Sequence, residues 1–364
     1  MKVAFDGRYA ENDLVGIGKY IASLVSEIAR NNIECLIFYS QKPKYPIYGK
    51  NISFKILPSL NRYVFEQINL PSALKKGKVD LYHATGNLGI PLFCPVPAVL
   101  TVHDIIPILV KDYFNYSKYK YLAKSSYLFR LKTSLVKAKA IITVSQFTKQ
   151  TLIENLHIPT DKIKVIYSGA PEINNKTSDL PTGLQPKQYI LNQGGIDIRK
   201  NLDCLITAFA KVIKEFPKLK IVITGENKNM KQKLQQQAID LGIRDAVVFP
   251  GYVSEELLWS LIRQARCICY PSLIEGFGWP VLEGFAAGVP VITSATSSLS
   301  EISEGVAYLI NPLNEDNISS AMLKILQNSS LRNKLIDKGI KRLGHFSWKK
   351  TASETIHTYQ EILG

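Results

Sequence analysis

The sequence predicts an α/β protein made of two open, mostly parallel-stranded domains in tandem. Short apolar runs alternate with amphipathic helical patterns along nearly the whole chain. The alternation breaks once, at 171–187, where PEINNKTSDLPTGLQPK carries three prolines and no periodicity. The length of 364 residues is comfortable for two cores. The expected domains are 1–170 and 188–346, joined by a linker at 171–187, with a final helix at 347–364.

The first half opens with an apolar strand at 2–6. A polar loop with Gly16 and Gly18 follows, then a helix whose Ile21, Leu24, Val25, Ile28 and Ala29 share one face. Further strands fit 33–39, 52–57, 79–82, 97–102 and 140–144, with helices at 62–76, 117–138 and 145–156. In the second half strands fit 188–192, 219–224, 246–249, 267–270 and 289–292. Helices fit 201–215, 228–241, 254–264, 280–288, 315–327 and 329–343, and 348–363 is amphipathic. Tandem sheets of this kind place ligands at the carboxyl ends of their strands, here in a cleft between the domains.

Composition narrows the class. The chain is 46% hydrophobic and 21% charged, which is ordinary for a globular protein. No apolar run approaches the roughly 18 residues of a membrane span. MKVAFDGRYA reads as a strand with a charge inside it and not as a signal peptide. Five cysteines without a C-x-x-C pair argue against a disulfide framework or a metal ribbon and fit a reducing cytoplasm. The net charge of +15 sits mainly before residue 175, where an anionic partner is expected. Residues 111–139 interleave Lys and Arg with Tyr and Phe and carry almost no acid. That pattern suits an anionic membrane surface, peripheral on its cytoplasmic side.

The chemistry concentrates in PSLIEGFGWPVLEGFAAGVPVIT, residues 271–293. Glu275 and Glu283 flank Gly276-Phe277-Gly278-Trp279-Pro280, after which a helix begins. Pro280 suits a first helical turn, and the helix N-terminus offers N–H groups to an anion such as a diphosphate. Glu283, one turn in, can accept the two vicinal hydroxyls of a ribose. GGIDIRKN, residues 194–201, supplies Arg199 and Lys200 at a strand-to-helix corner, with Asn201 as a candidate N-cap. GIGKY, residues 16–20, could bring backbone amides of Gly16 and Gly18 toward a phosphate or sugar, but lacks the third glycine of a dinucleotide fingerprint. His103, at the end of a strand, can hydrogen-bond a sugar hydroxyl; His83 is a weaker candidate of the same kind.

GIGKY, TVHDIIP, TVSQFTK, GGIDIRKN, FPGYVSEELL and PSLIEGFGWPVLEGFAAGVPVITS together resemble the retaining family 4 glycosyltransferases, and the likeness runs through nearly the whole chain. It implies the GT-B fold, two Rossmann-like domains facing across a cleft, with the last helix (FSWKKTASETIHTYQEIL) returning to the first domain. It implies that Arg199 and Lys200 hold the donor diphosphate with the backbones of Val281 and Leu282. Glu283 would bind the ribose, and Tyr252 and Val253 would lie near the base. Gly276, Phe277 and Gly278 would meet sugar hydroxyls, with Glu275 and His103 at the reaction centre. Trp279 and Gly284 depart from the family's common residues, often Leu or Thr at the first and Ala at the second.

The resemblance implies transfer with retention of anomeric configuration. No D-x-D sequence occurs, so no metal cofactor is implied; Arg199, Lys200 and helix amides would carry the phosphate charge. The general look of GIGKY, TVHDIIP and EGFGWP resembles bacterial mannosyltransferases of polysaccharide assembly. GDP-mannose is therefore the first expected donor, ahead of UDP-glucose and UDP-N-acetylhexosamines. The expected acceptor is a glycan or a lipid-diphosphate-linked chain. Two other readings fit parts of the pattern: a nucleotide-sugar epimerase of the same architecture, and a basic nucleic-acid-binding protein. The second is disfavoured because the charge joins no recognisable nucleic-acid module.

Overall fold

The computed structural model covers residues 1–364 and describes all of them except 13–15, 112, 115–117 and 227–229. It divides into two compact units. One comprises Met1–Gly169 with Phe346–Gly364, the other Ala170–His345.

The first unit runs β1 (Lys2–Asp6), α1 (Ile17–Arg30), β2 (Glu34–Tyr39), β3 (Ile52–Ile56) and α2 (Arg62–Val64). A π turn at Phe65–Asn69 leads into α3 (Leu70–Gly77). Then come β4 (Leu81–Ala84), β5 (Ala98–Val102), α4 (Ile106–Leu109), α5 (Lys120–Lys137), β6 (Ala140–Thr143), α6 (Gln146–Leu156) and β7 (Ile163–Val165). Among the described residues the strands form one parallel sheet in the order β3-β2-β1-β4-β5-β6-β7. Both faces are covered, which is why β1, β4, β5 and β6 are apolar runs without alternation. The apolar face read from the sequence of α1 is buried in full.

The last helix, Trp348–Leu363, belongs to this unit. Thr351 donates to the Tyr167 carbonyl at 2.7 Å, and the Trp348 indole fills the space that a side chain at Gly169 would need. His83 lies beneath this helix and is fully buried. Its Nδ1 is 2.6 Å from the Tyr359 hydroxyl and its Nε2 2.7 Å from Thr101 Oγ1. The expectation that His83 meets a sugar is therefore corrected: Nδ1 is spent on fastening the helix to the sheet, and Nε2 on Thr101 of the neighbouring strand β5.

The second unit runs β8 (Tyr189–Asn192), α7 (Leu202–Val212), β9 (Lys220–Thr224), α8 (Lys231–Asp240), β10 (Val247–Gly251) and α9 (Glu255–Gln264). It continues with β11 (Cys267–Tyr270), α10 (Trp279–Ala286), β12 (Val291–Ser294), α11 (Ser297–Ser303), β13 (Tyr308–Ile310), α12 (Glu315–Gln327) and α13 (Ser329–Leu343). Its parallel sheet has the order β10-β9-β8-β11-β12-β13 among the described residues. Strand order reverses between β8 and β11, so the loops after these two strands diverge and leave a crevice at their carboxyl ends. The proline-rich segment 171–187 is fastened to this unit. Arg263 donates to the carbonyls of Asn174 and Lys176 at 2.7 and 2.9 Å, and Ser178 N–H donates to Ser260 Oγ at 2.8 Å.

Four short elements do not announce themselves in the sequence: α4, β7, α11 and β13. Three or four residues hold too little periodicity to read, and the SSLSEIS of α11 has the composition of a loop. The strand expected at 289–292 begins instead at Val291. Gly288 and Val289 still close α10, and Pro290 has no N–H for a ladder. No helix of the described residues is long and apolar enough to cross a membrane.

Candidate active site

The site is built at the carboxyl ends of β8 and β11. After β8 the chain passes Gly194 and Gly195, both at positive φ, and makes a 3-10 turn at Ile198–Lys200. Asp197 caps that turn by accepting from Arg199 N–H at 3.1 Å. Asn201 precedes α7 but does not cap it, contrary to the sequence reading. Its backbone is left-handed at φ 55°, and its side-chain amide donates to the carbonyls of Pro271 and Pro312. Asn201 thus pins two loops, α7 has no side-chain cap, and Asp197 caps only the 3-10 turn before it.

The glycines let neighbouring loops touch. A side-chain carbon at Gly225 would sit 2.3 Å from the Gly195 nitrogen. The β8 and β9 loops are joined there, Gly195 N–H to Thr224 O at 3.2 Å and Ile196 N–H to Glu226 O at 2.8 Å. Gly225 N–H continues the row to Gly251 O at 2.8 Å.

This loop carries two cations toward Glu275. Lys200 Nζ is 2.7 Å from Glu275 Oε1, and Arg199 Nη1 is 3.4 Å from Oε2. The Tyr270 hydroxyl, from the end of β11, donates to Glu275 Oε1 at 2.8 Å and meets the Lys200 ammonium. Lys200 also stands 4.6 Å from the centre of the Tyr270 ring. Burial pushes the Glu275 carboxyl up, but the charges of Lys200 and Arg199 outweigh it, aided by hydrogen bonds from Lys200 and Tyr270. The group is held below the ordinary carboxylate range. Burial draws the Lys200 ammonium down, against the pull of Glu275.

The loop from Glu275 to Phe277 is latched onto the start of α11. Glu275 N–H donates to Ser297 Oγ at 3.2 Å, and Ser298 Oγ reaches the carbonyls of Glu275 and Phe277 at 2.8 and 2.5 Å. Gly278 turns the chain at φ 138° into α10, which has Pro280 in its first turn. The amides of Val281 and Leu282 donate to the Gly278 carbonyl at 3.0 and 3.3 Å, so a phosphate there would share them with the helix's own first turn. Glu283 is buried in α10 and accepts from Gln193 Nε2 at 2.7 Å. The carbonyl oxygen of Gln193 is buried without a partner, an acceptor waiting beside Glu283. Tyr252 is exposed and Val253 half-buried just after β10.

Sequence reasoning named Arg199, Lys200, Glu275 and Glu283 but missed Gln193, Tyr270, Ser297 and Ser298. Tyr270 reads as one more apolar residue of a buried strand, and the serines belong to the unread α11. Among the described residues no group of three or more His, Cys, Asp or Glu is arranged to hold a metal ion.

In the first unit, His103 follows β5. Its N–H donates to Asn87 Oδ1 at 2.6 Å, and its Nε2 lies 2.8 Å from the Thr85 carbonyl. A carbonyl only accepts, so Nε2 carries the proton and Nδ1 is an acceptor in the neutral ring. Burial holds its pKa down at about 4. The ring stands edge-on to Tyr20 at 4.7 Å. Gly16 opens α1 at φ 49°, its carbonyl accepting from Tyr20 N–H, and Gly18 is buried. Within the basic segment 111–139, Asp112 and residues 115–117 lie outside the described residues, as do residues 13–15 just before Gly16.

Two family models match in succession. One described as Glycosyltransferase Family 4 covers residues 15–171, and one described as Glycosyl transferases group 1 covers residues 179–342. The chain belongs to the family 4 glycosyltransferases. As such, it is 29% identical to the O-antigen chain mannosyltransferase B of Escherichia coli, over 99% of this chain and 100% of that protein. It is 32% identical to the O-antigen chain mannosyltransferase RfbU of Salmonella typhimurium, over 63% of this chain and 60% of that one. Among solved structures, Anabaena HepE, crystallised with UDP and glucose, superposes with a TM-score of 0.76 at 16% identity, covering 99% of this chain and 100% of that one. The glycosyltransferase therefore has the GT-B fold.

Proposed function

We propose that this glycosyltransferase moves a mannosyl residue from GDP-mannose to a glycan or lipid-diphosphate-linked acceptor, with retention and without a metal. The observation that carries the reading is the convergence of Arg199 and Lys200 on Glu275, at the glycine-rich loops after β8 and β11. The names of the two enterobacterial relatives support mannose as the sugar.

In this reading the diphosphate lies on Arg199 and Lys200, which stabilise the charge that builds as the bond from the sugar carbon to the phosphate oxygen breaks. The amides at the start of α10 add to that field. Glu275, held ionised, accepts hydrogen bonds from sugar hydroxyls and so orients the ring. Glu283 and Gln193 receive the ribose hydroxyls, and Tyr252 and Val253 lie near the base. His103, neutral, offers Nδ1 to a hydroxyl of the transferred sugar. The acceptor oxygen attacks the face the phosphate leaves, and the departing phosphate oxygen takes its proton. The acceptor is presented at the cytoplasmic face of an anionic membrane, to which the enzyme binds peripherally.

The first test is thermal stabilisation by GDP-mannose, UDP-glucose and their nucleotides, with and without EDTA. Ligand at about 100 times its dissociation constant adds roughly 2.7 kcal/mol, a shift of a few degrees. A chelator-insensitive shift with the guanosine series supports the reading. A shift confined to the uridine series replaces the donor, and none with any nucleotide removes the donor site.

A further inference from the structure

GIGKY ends in a side chain that the chemistry above leaves without a part. Tyr20 is buried, and its ring meets two others. It stands at 90° to the His103 ring with centres 4.7 Å apart, and at 60° to the Trp348 indole at 5.7 Å. Both are edge-on arrangements of the kind aromatic rings prefer. The Tyr20 hydroxyl lies 3.4 Å from Thr101 Oγ1, and its N–H donates to the Gly16 carbonyl at 3.1 Å. Tyr20 is thus fixed at its backbone, along its ring and at its far end.

The last helix stands behind it. Trp348 and Tyr359 lie eleven positions apart, about three turns, and so share one face. Trp348 touches Tyr20 directly. Tyr359 pairs with His83, and His83 pairs with the same Thr101 Oγ1 that the Tyr20 hydroxyl meets. The helix therefore reaches Tyr20 by two routes, and Tyr20 reaches His103.

His103 has need of such a wall. Its N–H is held by Asn87 Oδ1 and its Nε2–H by the Thr85 carbonyl. These bonds fix the main chain and one ring nitrogen. A half-turn of the ring would carry Nε2 away from Thr85 and turn Nδ1 with it. A perpendicular ring packed against the imidazole leaves it little room to turn. Which nitrogen keeps the proton follows from the bond that holds the other.

We propose that Tyr20 is a positioning residue: it holds the His103 imidazole in the orientation that offers Nδ1 to the transferred sugar, and the last helix braces it through Trp348. The inference rests on the reading that His103 meets that sugar. It gives the last helix a part in the reaction, through two ring contacts and without touching substrate. Misplacing a reacting group by about 1 Å costs on the order of 100-fold in rate, so a loosened His103 is expected to show in kcat.

Two measurements on the full chain test this. The first is long-range proton–nitrogen NMR of the histidine rings, with His103→Ala to assign the His103 signals. The wild-type protein at neutral pH should show one tautomer, protonated at Nε2. Tyr20→Leu should show signals averaged between tautomers, and Trp348→Leu a smaller change in the same direction. Tyr20→Phe keeps the ring and should keep the wild-type signals. Circular dichroism reports folding, and should Tyr20→Leu not fold, Trp348→Leu carries the test. A single Nε2–H tautomer retained in every folded leucine variant overturns the proposal. The second is a double-mutant cycle on the consumption of GDP-mannose, with water standing in for the acceptor. Tyr20→Leu is expected to lower kcat about 30-fold with KM within about twofold, and to cost nothing further when His103 is already alanine. Losses that multiply show that Tyr20 acts elsewhere and overturn the proposal. Full activity in His103→Ala removes the sugar contact of His103, and the positioning role with it. A wild-type protein that consumes no GDP-mannose removes that donor alone, and the NMR signals then decide whether Tyr20 holds the ring.

Discussion

Lys200 Nζ lies 2.7 Å from Glu275 Oε1, so the cation proposed to hold the diphosphate and the carboxylate proposed to meet the sugar form one buried ion pair. The two roles are compatible because each group has partners to spare. Glu275 keeps the Tyr270 hydroxyl when Lys200 and Arg199 turn to a phosphate. A donor would then enter by sharing charges already paired, which spares the folded enzyme an uncompensated buried lysine.

Removing one member should therefore hurt both activity and stability. Glu275→Gln and Lys200→Met are each expected to lower kcat/KM by about 100- to 1,000-fold. Each should also lower stability by roughly 3 kcal/mol, because a buried charge loses its partner. Lys200→Met combined with Glu275→Leu should be more stable than either single variant while remaining inactive. Urea unfolding and steady-state kinetics on the same samples read both quantities, and additive stability losses would show that the pair is not coupled.

Tyr270→Phe isolates the hydroxyl that holds the pair. The Tyr270 hydroxyl donates to the ionised carboxylate and so favours it. Its loss should raise the pKa of Glu275 and move the acid limb of the kcat/KM profile to higher pH. A variant that merely loosened packing would lower the rate at every pH without moving the limb.

Acid should destabilise the first unit through two histidines, His83 buried and His103 half-buried. Burial lowers His83 to about 3 and His103 to about 4, against about 6.5 in the unfolded chain. Between these values the unfolded state binds more protons, so stability rises with pH across the window and falls as pH drops below about 6.5. Each group contributes up to roughly 1.4 kcal/mol per pH unit. Urea midpoints from pH 7 to pH 4.5 should show this slope, and His83→Gln should flatten it. An unchanged slope in that variant would place the acid sensitivity elsewhere.

Gly225→Ala should damage the donor loops from a distance. Its φ of 117° is strained for any side chain, and the added carbon would strike the Gly195 backbone, which cannot swing aside. A loss of about 2–4 kcal/mol is expected, with weaker nucleotide binding. Differential scanning calorimetry and nucleotide titration measure the two effects. Wild-type behaviour would mean the β8 and β9 loops are not held as closely as the hydrogen bonds indicate.

The two parallel sheets and most helix boundaries are legible in the sequence, as are the residue types at Arg199, Lys200, Glu275, Glu283 and His103 from which the proposed chemistry starts. Periodicity and apolar runs are local properties, so α1 and the strands of both cores can be read without knowing what they touch. Glycines at 194, 195, 276 and 278 likewise mark loops before any partner is known. Which of these residues meet depends on how the strands and loops pack. His83 and His103 look alike along the chain, yet one is spent on Tyr359 and Thr101 while the other keeps an open Nδ1. Asn201 has the type of an N-cap but pins Pro271 and Pro312, because its left-handed backbone turns the amide away from α7. Tyr270 and Gln193 carry no motif. Their roles arise where β8 and β11 lie side by side, bringing residues some 70 to 90 positions apart within hydrogen-bond reach. Pairing across that distance is set by strand order, which no local pattern encodes.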